Sequence, residues 1–161
     1  MSSQPATPAP SRFPVWLFHW LPLLLWMLLI FLLSHQDKEQ SKETSEWVLA
    51  ILGFLGIDPA DIKGYNLSFW VRKAAHFTEY FILGILSHRL LERYVPGPKI
   101  WLWAWLFCAC YAGTDEFHQR FVPGRGASII DVGIDSLGAI VGILCWRFWQ
   151  GRKSRTGTNI V

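Results

Sequence analysis

Ionisable and hydrogen-bonding side chains are concentrated in two short blocks of the sequence. The first is RKAAHFTEY, residues 72–80, and the second is DEFHQRFVPGRGASIIDVGID, residues 115–135. Together they hold carboxylates, imidazoles, an ammonium group and guanidinium groups, which are the groups that acid–base catalysis and anion binding use. Both blocks lie beside long apolar runs, so this chemistry is encoded next to segments suited to a hydrocarbon environment.

The first block has the spacing of one helical face. Lys73, His76 and Tyr80 follow steps of three and four residues, and Glu79 shares the edge of His76. His76 and Glu79 are therefore candidates for a general base and its orienting partner, in either order. Lys73 is a candidate for binding an anionic group, and Tyr80 is a candidate substrate contact on the same stripe.

The second block supplies carboxylates from two predicted helices. Asp115 and Gln119 are four residues apart, and Glu116 precedes Gln119 by three. Asp115, Glu116 and Asp131 are candidates for a second acid/base group, since crowded carboxylates favour protonation of one of them. Gln119 is a candidate substrate contact.

The remaining candidates lie around the next helix start. Ser128, Asp131 and Asp135 form a stripe at steps of three and four residues, and Gly138 and Gly142 continue it. Small residues at this spacing allow another helix to approach closely. Arg125, in the turn VPGRG, suits a bidentate contact with phosphate or carboxylate, and Ser128 and Asp135 complete the predicted substrate-binding set.

Apolar helices must position these residues. The chain has 161 residues, of which 52% are hydrophobic and 16% aromatic, with ten tryptophans. That composition exceeds what a small soluble domain can cover with polar surface. It predicts an all-α integral membrane four-helix bundle with an additional short interfacial or re-entrant helix. The predicted spans are residues 14–34, 67–91, 100–119 and 129–149.

The segments between and beyond the spans complete the predicted organisation. Residues 1–13 are expected to be a disordered tail, residues 14–149 the transmembrane domain and residues 150–161 a basic tail. The polar residues 34–46 predict an exposed connection, and WVLAILGFLGI, residues 47–57, predicts the short helix. A signal peptide is the alternative for the first apolar run, but no small-residue cleavage site follows it.

Lysine and arginine near the span ends indicate an orientation. They cluster between the second and third spans and after the fourth. The positive-inside rule then predicts a multi-pass protein of a bacterial-type cytoplasmic membrane with both termini cytoplasmic. The modest net charge of +3 is explained by these flanks, and no nucleic-acid partner is expected. This topology brings the two polar blocks to the outward end of the bundle.

The two blocks resemble those of VanZ-like membrane proteins. Residues 72–84, RKAAHFTEYFILG, are similar to the family pattern K-x-x-H-F-x-E-Y-x-x-L-G. Residues from Asp115 to Gly138 are similar to D-E-x-x-Q-x-F-x-P-G-R-x-x-S-x-x-D-x-x-x-N-x-x-G. Asp135 departs from this pattern, because the family usually has Asn there, and the departure adds a carboxyl group.

The resemblance implies an envelope location and a connection with cell-wall chemistry, since the family is named for a member linked to teicoplanin resistance. With the outward polar cluster, it predicts a pocket for an anionic lipid-linked or cell-wall precursor among membrane lipids. Whether the pocket catalyses a reaction stays open, and no cofactor is expected.

Other interpretations of the same residues remain. The charges could only pair with one another and hold the helices in register. The pocket could bind its ligand without chemistry, or a transport path could form between two copies. A metal site is a further alternative, which the basic neighbours oppose; its candidate ligands are His76, Glu79, Asp115, Glu116, His118 and Asp131.

Overall fold

A computed structural model describes residues 15–54, 67–95 and 97–157 of the chain. Within these ranges the protein is all-α, as predicted, with five helices and no strand. The helices are α1 (Val15–Ser34), α2 (Lys38–Phe54), α3 (Leu67–Tyr94), α4 (Ile100–Gln119) and α5 (Ile129–Gly157). The predicted N-terminal tail and most of the loop after α2 lie outside the described residues.

The second helix differs from the prediction. A short helix was expected over residues 47–57 after an exposed connection, but α2 begins at Lys38 and takes in most of that connection. Asp37 and Gln40 start it with reciprocal hydrogen bonds: the Gln40 amide donates to Asp37 Oδ1 at 2.9 Å, and the Asp37 amide donates to Gln40 Oε1 at 3.2 Å. This is a capping box, which outweighs the polar character of the segment.

Helices α1 and α2 form a bent pair. The chain turns through 113° at the short break between them. Because of this bend α2 does not continue the direction of α1, and it packs against α3. Two α2 residues, Ser41 and Ser45, are buried although they are polar. A buried polar face on α2 indicates that the helix covers polar groups and not the apolar core.

The pairing of α3 with α5 is the most extensive helix contact in the described part of the chain. Glycines allow it: a Cβ atom at Gly138 would collide with the Phe77 carbonyl, and one at Gly142 with the Phe81 carbonyl. On the opposite helix, a Cβ atom at Gly84 would collide with the backbone of Ala139. The two backbones therefore touch directly, as the small-residue stripe of α5 predicts.

The apolar core lies next to this contact and is completed by α4. Five residues are fully buried there: Tyr80, Leu83, Cys108, Ala112 and Ala139. The Trp105 indole donates a hydrogen bond to the Ser136 carbonyl at 3.1 Å, which fixes α4 against α5. A rigid α3–α4–α5 core results, and it holds the ends of these helices in register.

The fifth helix is longer than predicted. Residues 150–161 were expected to be a tail, but α5 continues to Gly157. Arginine and lysine have good intrinsic helix propensity, so a basic sequence of this kind can extend a helix that a packed core has nucleated. In this extension Arg152 and Lys153 lie over the rings of Phe148 and Trp149, respectively.

One helix of the described residues, over Ile129–Lys153, is long and apolar enough to cross a membrane, and the bent pair His19–Ser34 with Lys38–Phe54 passes the same test as one broken span. The two other long helices, α3 and α4, carry the charged blocks, which lower their hydropathy.

The outward surface of α1 is strongly apolar. Seven leucines, one tryptophan and one phenylalanine of this helix are exposed: Leu17, Trp20, Leu21, Leu24, Leu25, Leu28, Leu29, Phe31 and Leu32. Contiguous apolar surface of this extent marks a contact with a membrane or another protein. Eleven polar or charged residues of the described ranges are buried, among them His76, Asp115 and Asp135.

Candidate functional site

A polar cluster occupies one end of the α3–α4–α5 core. It forms where the first half of α3, the last turn of α4 and the first turns of α5 meet, so the two sequence blocks come together as predicted. The turn between α4 and α5 contains Gly124, whose φ of 73° suits glycine. Ser128 then caps α5, because its hydroxyl accepts a hydrogen bond from the Asp131 amide at 3.3 Å.

Two ionisable pairs join α3 to α5. The Lys73 ammonium binds the Asp131 carboxylate directly, with both side chains largely buried. One turn further along each helix, His76 Nδ1 lies 3.2 Å from Asp135 Oδ1. The Asp135 side chain is fully buried, and that of His76 is 7% exposed. The same close backbone approach that excludes water here brings these four side chains opposite one another.

A second group of contacts joins α1 to α4. The Ser34 hydroxyl donates to Asp115 Oδ2 at 2.7 Å, and Gln119 Nε2 donates to the Ser34 hydroxyl at 3.2 Å. Gln119 Nε2 also lies 3.3 Å from Asp115 Oδ2. All three residues are buried. Asp115 is therefore held by donors from two helices, and the end of α1 is fixed to the last turn of α4.

Arg125 connects the turn before α5 to the bent α1–α2 pair. Its Nη1 donates to the Ser34 carbonyl and its Nη2 to the Ser41 hydroxyl, each at 2.9 Å. Burial is the larger cause that lowers the pKa of Arg125, and the neighbouring charge of Arg72 lowers it further. Two guanidinium groups are thus close enough to repel each other beside the same helices.

Glu116 faces the start of α5. Its Oε2 accepts a hydrogen bond from the Ser128 amide at 2.7 Å. The other oxygen, Oε1, is buried and has no hydrogen-bond partner among the described residues. Glu116 therefore supports the turn with one oxygen and leaves the other directed into the cluster.

A cavity of about 200 Å³ opens beside this cluster, between α1, α2 and α3. Its lining is rich in hydroxyl and charged groups: Ser34, Ser41, Thr44, Ser45, Arg72, His76, Glu79 and Arg125. Small polar anions fit such a set, because guanidinium and hydroxyl groups donate hydrogen bonds to oxygen. A cavity of this volume suits a head group and not a whole lipid.

The candidates from sequence divide into three sets. His76, Glu79 and Arg125 line the cavity, and Asp115 and Gln119 contact Ser34 at its wall. Lys73, Glu116, Asp131 and Asp135 lie among the helices beside His76 and outside the cavity lining. Ser128 serves as a helix cap, and Tyr80 is fully buried beside Tyr111 and away from the lining.

Sequence reasoning missed most of the cavity wall. Ser41, Thr44 and Ser45 come from α2, in a segment predicted to be an exposed connection. The D-x-x-Q capping box at residues 37–40 is the signal that could have placed a helix there. Ser34 and Arg72 were also left out of the site, although both lie beside residues that were chosen.

These observations define a class of protein: an all-helical chain with an apolar exterior and a polar cluster between helices. The sequence model of the VanZ/LLP1 family matches residues 18–150. The chain therefore belongs to the VanZ/LLP1 family, and the resemblance found in the two blocks is confirmed. Family membership and the apolar helix Ile129–Lys153 together indicate association with a membrane. No curated protein and no solved structure matches the chain.

Proposed function

We propose that this protein crosses the cytoplasmic membrane with α1, α3, α4 and α5 and binds the anionic head group of a lipid-linked envelope component in the cavity of Arg72 and Arg125. The observation that carries the proposal is the approach of these two guanidinium groups at one cavity. Like charges at one site are unfavourable unless an anion lies between them. Guanidinium groups bind phosphate and carboxylate with bidentate geometry, and phosphate is the anion that a lipid-linked head group supplies.

The orientation follows the positive-inside rule. The basic residues between α3 and α4 and after α5 lie on the cytoplasmic side in this proposal, with both termini. The polar cluster then lies at the outer end of the bundle, where cell-wall precursors and glycopeptides such as teicoplanin meet. The apolar exterior of α1 supports a lipid-facing position, because apolar side chains such as leucine are more favourable in contact with lipid tails than with water.

A second cavity supports a lipid-linked ligand over a soluble one. It measures about 520 Å³, is almost wholly apolar, and lies toward the other end of α1 and α3 beside α4. Met27, Leu90 and Phe107 are among its lining residues. A hydrocarbon chain gains about 0.8 kcal/mol for each CH₂ group that it buries in such a place. Polar and apolar sites on one pair of helices match the two parts of a lipid phosphate.

The test is binding of a polyprenyl phosphate to the purified full-length protein in detergent. Arg125→Ala and Arg72→Ala are each expected to weaken binding roughly 10- to 100-fold, the loss of a charge-assisted hydrogen bond. The matched control is Arg120→Ala, which removes the same charge from an exposed position beside the site. If Arg120→Ala weakened binding equally, the loss would come from the overall positive charge of the surface and not from the cavity, and the proposal would be overturned.

Acid–base catalysis on the same ligand is the second candidate function. His76 and Glu79 line the cavity beside the guanidinium groups, so they could exchange protons with a bound head group. Incubation with wall-precursor lipids, followed by mass spectrometry, separates the candidates. A mass change that His76→Ala and Glu79→Gln abolish identifies an enzyme, whereas binding with unchanged masses identifies a binding protein. In cells, the same variants are compared for teicoplanin sensitivity at matched membrane abundance.

A further inference from the structure

Three side chains beside the cavity converge from three different helices. His76 comes from α3, Glu116 from α4 and Asp135 from α5, and one potential ligand atom of each lies within 4.8 Å of the others. All three residues are buried, with exposures of 6%, 3% and 0%. Ligands of one first-row divalent ion lie roughly 3–3.5 Å apart, given metal–ligand bonds near 2.1 Å. A small contraction of this trio reaches that geometry.

The polar atoms of the trio lack other partners. Glu116 Oε1, both carboxylate oxygens of Asp135 and His76 Nδ1 are buried without a hydrogen bond in the described ranges. His76 Nδ1 and Asp135 Oδ1 face each other at 3.2 Å as the ionisable pair described above. Buried polar atoms are paired in the great majority of cases, so Glu116 Oε1 and Asp135 Oδ2, which have neither a hydrogen bond nor an ion pair among the described residues, indicate a missing ligand at this point.

The charge of the surroundings favours a cation. Five carboxylates interact electrostatically within the cluster: Glu79, Asp115, Glu116, Asp131 and Asp135. Three basic side chains oppose them, namely Arg72, Lys73 and Arg125. With these eight groups ionised and His76 neutral, as a metal ligand must be, two negative charges remain, which one divalent ion neutralises. Basic neighbours do not prevent cation binding here, because the carboxylates outnumber them and Lys73 is already paired with Asp131.

We propose that His76, Glu116 and Asp135 bind one divalent transition-metal ion between α3, α4 and α5. One imidazole with two carboxylates suits zinc, manganese or ferrous iron better than calcium or magnesium, which prefer oxygen alone. Inward-facing carboxylates and histidines on neighbouring helices are an established way to build a metal site in a helical bundle. The inference goes beyond the proposed anion binding and does not rest on it.

The site has a further consequence for the neighbouring cavity. His76 belongs both to the trio and to the cavity lining, so a bound ion lies next to the place proposed for the anionic head group. Three protein ligands leave at least one coordination position of a zinc ion open. An oxygen of the head group can take that position, while Arg72 and Arg125 hold the rest of the anion.

The test measures metal in the full-length protein, purified in detergent and equilibrated with Zn²⁺. After desalting, about one zinc ion per chain is expected by elemental mass spectrometry. Glu116→Gln and Asp135→Asn are expected to weaken zinc binding at least roughly 100-fold, more than the loss of an outer partner. The controls Glu46→Gln and Glu92→Gln each remove a carboxylate that lies outside the trio and its charged cluster, and they should keep the ion.

Each outcome decides the matter. If wild-type protein holds no zinc, or if ligand and control variants lose zinc equally, the proposal is overturned. Protonation of two carboxylates then neutralises the cluster instead. If a ligand variant does not fold, X-ray absorption of zinc-loaded wild-type protein decides. Nitrogen and oxygen ligands support the trio, whereas sulfur shows that one of the three cysteines binds the zinc instead. Polyprenyl phosphate binding after chelation reports separately on the anion site.

Discussion

The two halves of the α3–α5 contact are held in different ways. Toward the C-terminal half of α5, Gly138 and Gly142 bring the helix backbones together without polar groups. Toward its start, Asp131 and Asp135 face Lys73 and His76 across the same contact. The difference shows a division of labour within one helix pair. The glycines set the distance between helices, and that distance decides which charged groups meet without water.

The largest effect is expected from filling the glycine half. Gly142→Leu forces a side chain against the Phe81 carbonyl, and overpacking of this kind destabilises by about 3 kcal/mol or more. We expect little folded protein in detergent extracts, measured by gel filtration. The matched control is Gly133→Ala on the same helix, where a Cβ atom meets nothing within 4 Å. This control should gain up to about 1 kcal/mol from helix propensity. Normal accumulation of Gly142→Leu would contradict the direct backbone contact.

The next effect comes from breaking the charged half. Lys73→Met leaves the Asp131 carboxylate buried without its partner, which destabilises by about 3 kcal/mol. Thermal unfolding in detergent measures the change. The double variant Lys73→Met, Asp131→Leu removes both charges and should recover most of the loss. Failure of the double variant to recover would mean that the ion pair contributes more than mutual neutralisation.

A smaller effect is expected where α1 meets α4. Ser34→Ala removes the hydroxyl that donates to Asp115. Because the buried Asp115 carboxylate then has one partner fewer, the free energy of unfolding should fall by about 1–2 kcal/mol. The control is Ser45→Ala, since the Ser45 hydroxyl donates to the Ser41 carbonyl of its own helix and not to another helix of the described ranges. Urea unfolding of both variants gives the comparison. Equal stability of the two would show that the α1–α4 contact is replaced by solvent.

The smallest effect is expected at the edge of the cluster. His118 lies 3.1 Å from His35 at an exposed position and takes no part in the cavity lining. His118→Ala should change stability by no more than about 0.5 kcal/mol and leave polyprenyl phosphate binding unchanged. A clear loss of binding would show that the binding site includes the exposed end of α4 as well as the cavity.

The long helices and the main members of the site follow from sequence pattern. Apolar length and helical spacing are local properties, so α3, α4 and the start of α5 could be predicted from residues a few positions apart. The turn at Gly124 follows from local chemistry in the same way. These signals also place Lys73, His76 and Glu79 on one stripe, because the period of a helix is fixed.

The partners of each side chain could not be predicted, because helix rotation and depth are set by contacts between distant segments. Asp135 was grouped with substrate contacts, yet it faces His76 inside the α3–α5 contact. The bend after Ser34 decides that α2 covers the cavity, and no residue pattern reports an angle of 113°. The metal trio was missed for the same reason: Asp135 was absent from the metal candidates that sequence suggested.

The guanidinium group of Arg125 also has a consequence for the order of events during synthesis. It bonds the Ser34 carbonyl from a position 91 residues later in the chain. At ribosomal rates of about 5–20 residues per second, roughly 5–20 s pass between the two residues. During that interval the bend between α1 and α2 lacks the hydrogen bond that Arg125 later donates to the Ser34 carbonyl. We expect insertion machinery or a chaperone to encounter α2 undocked, and the nascent chain to become resistant to protease there only after Arg125 emerges.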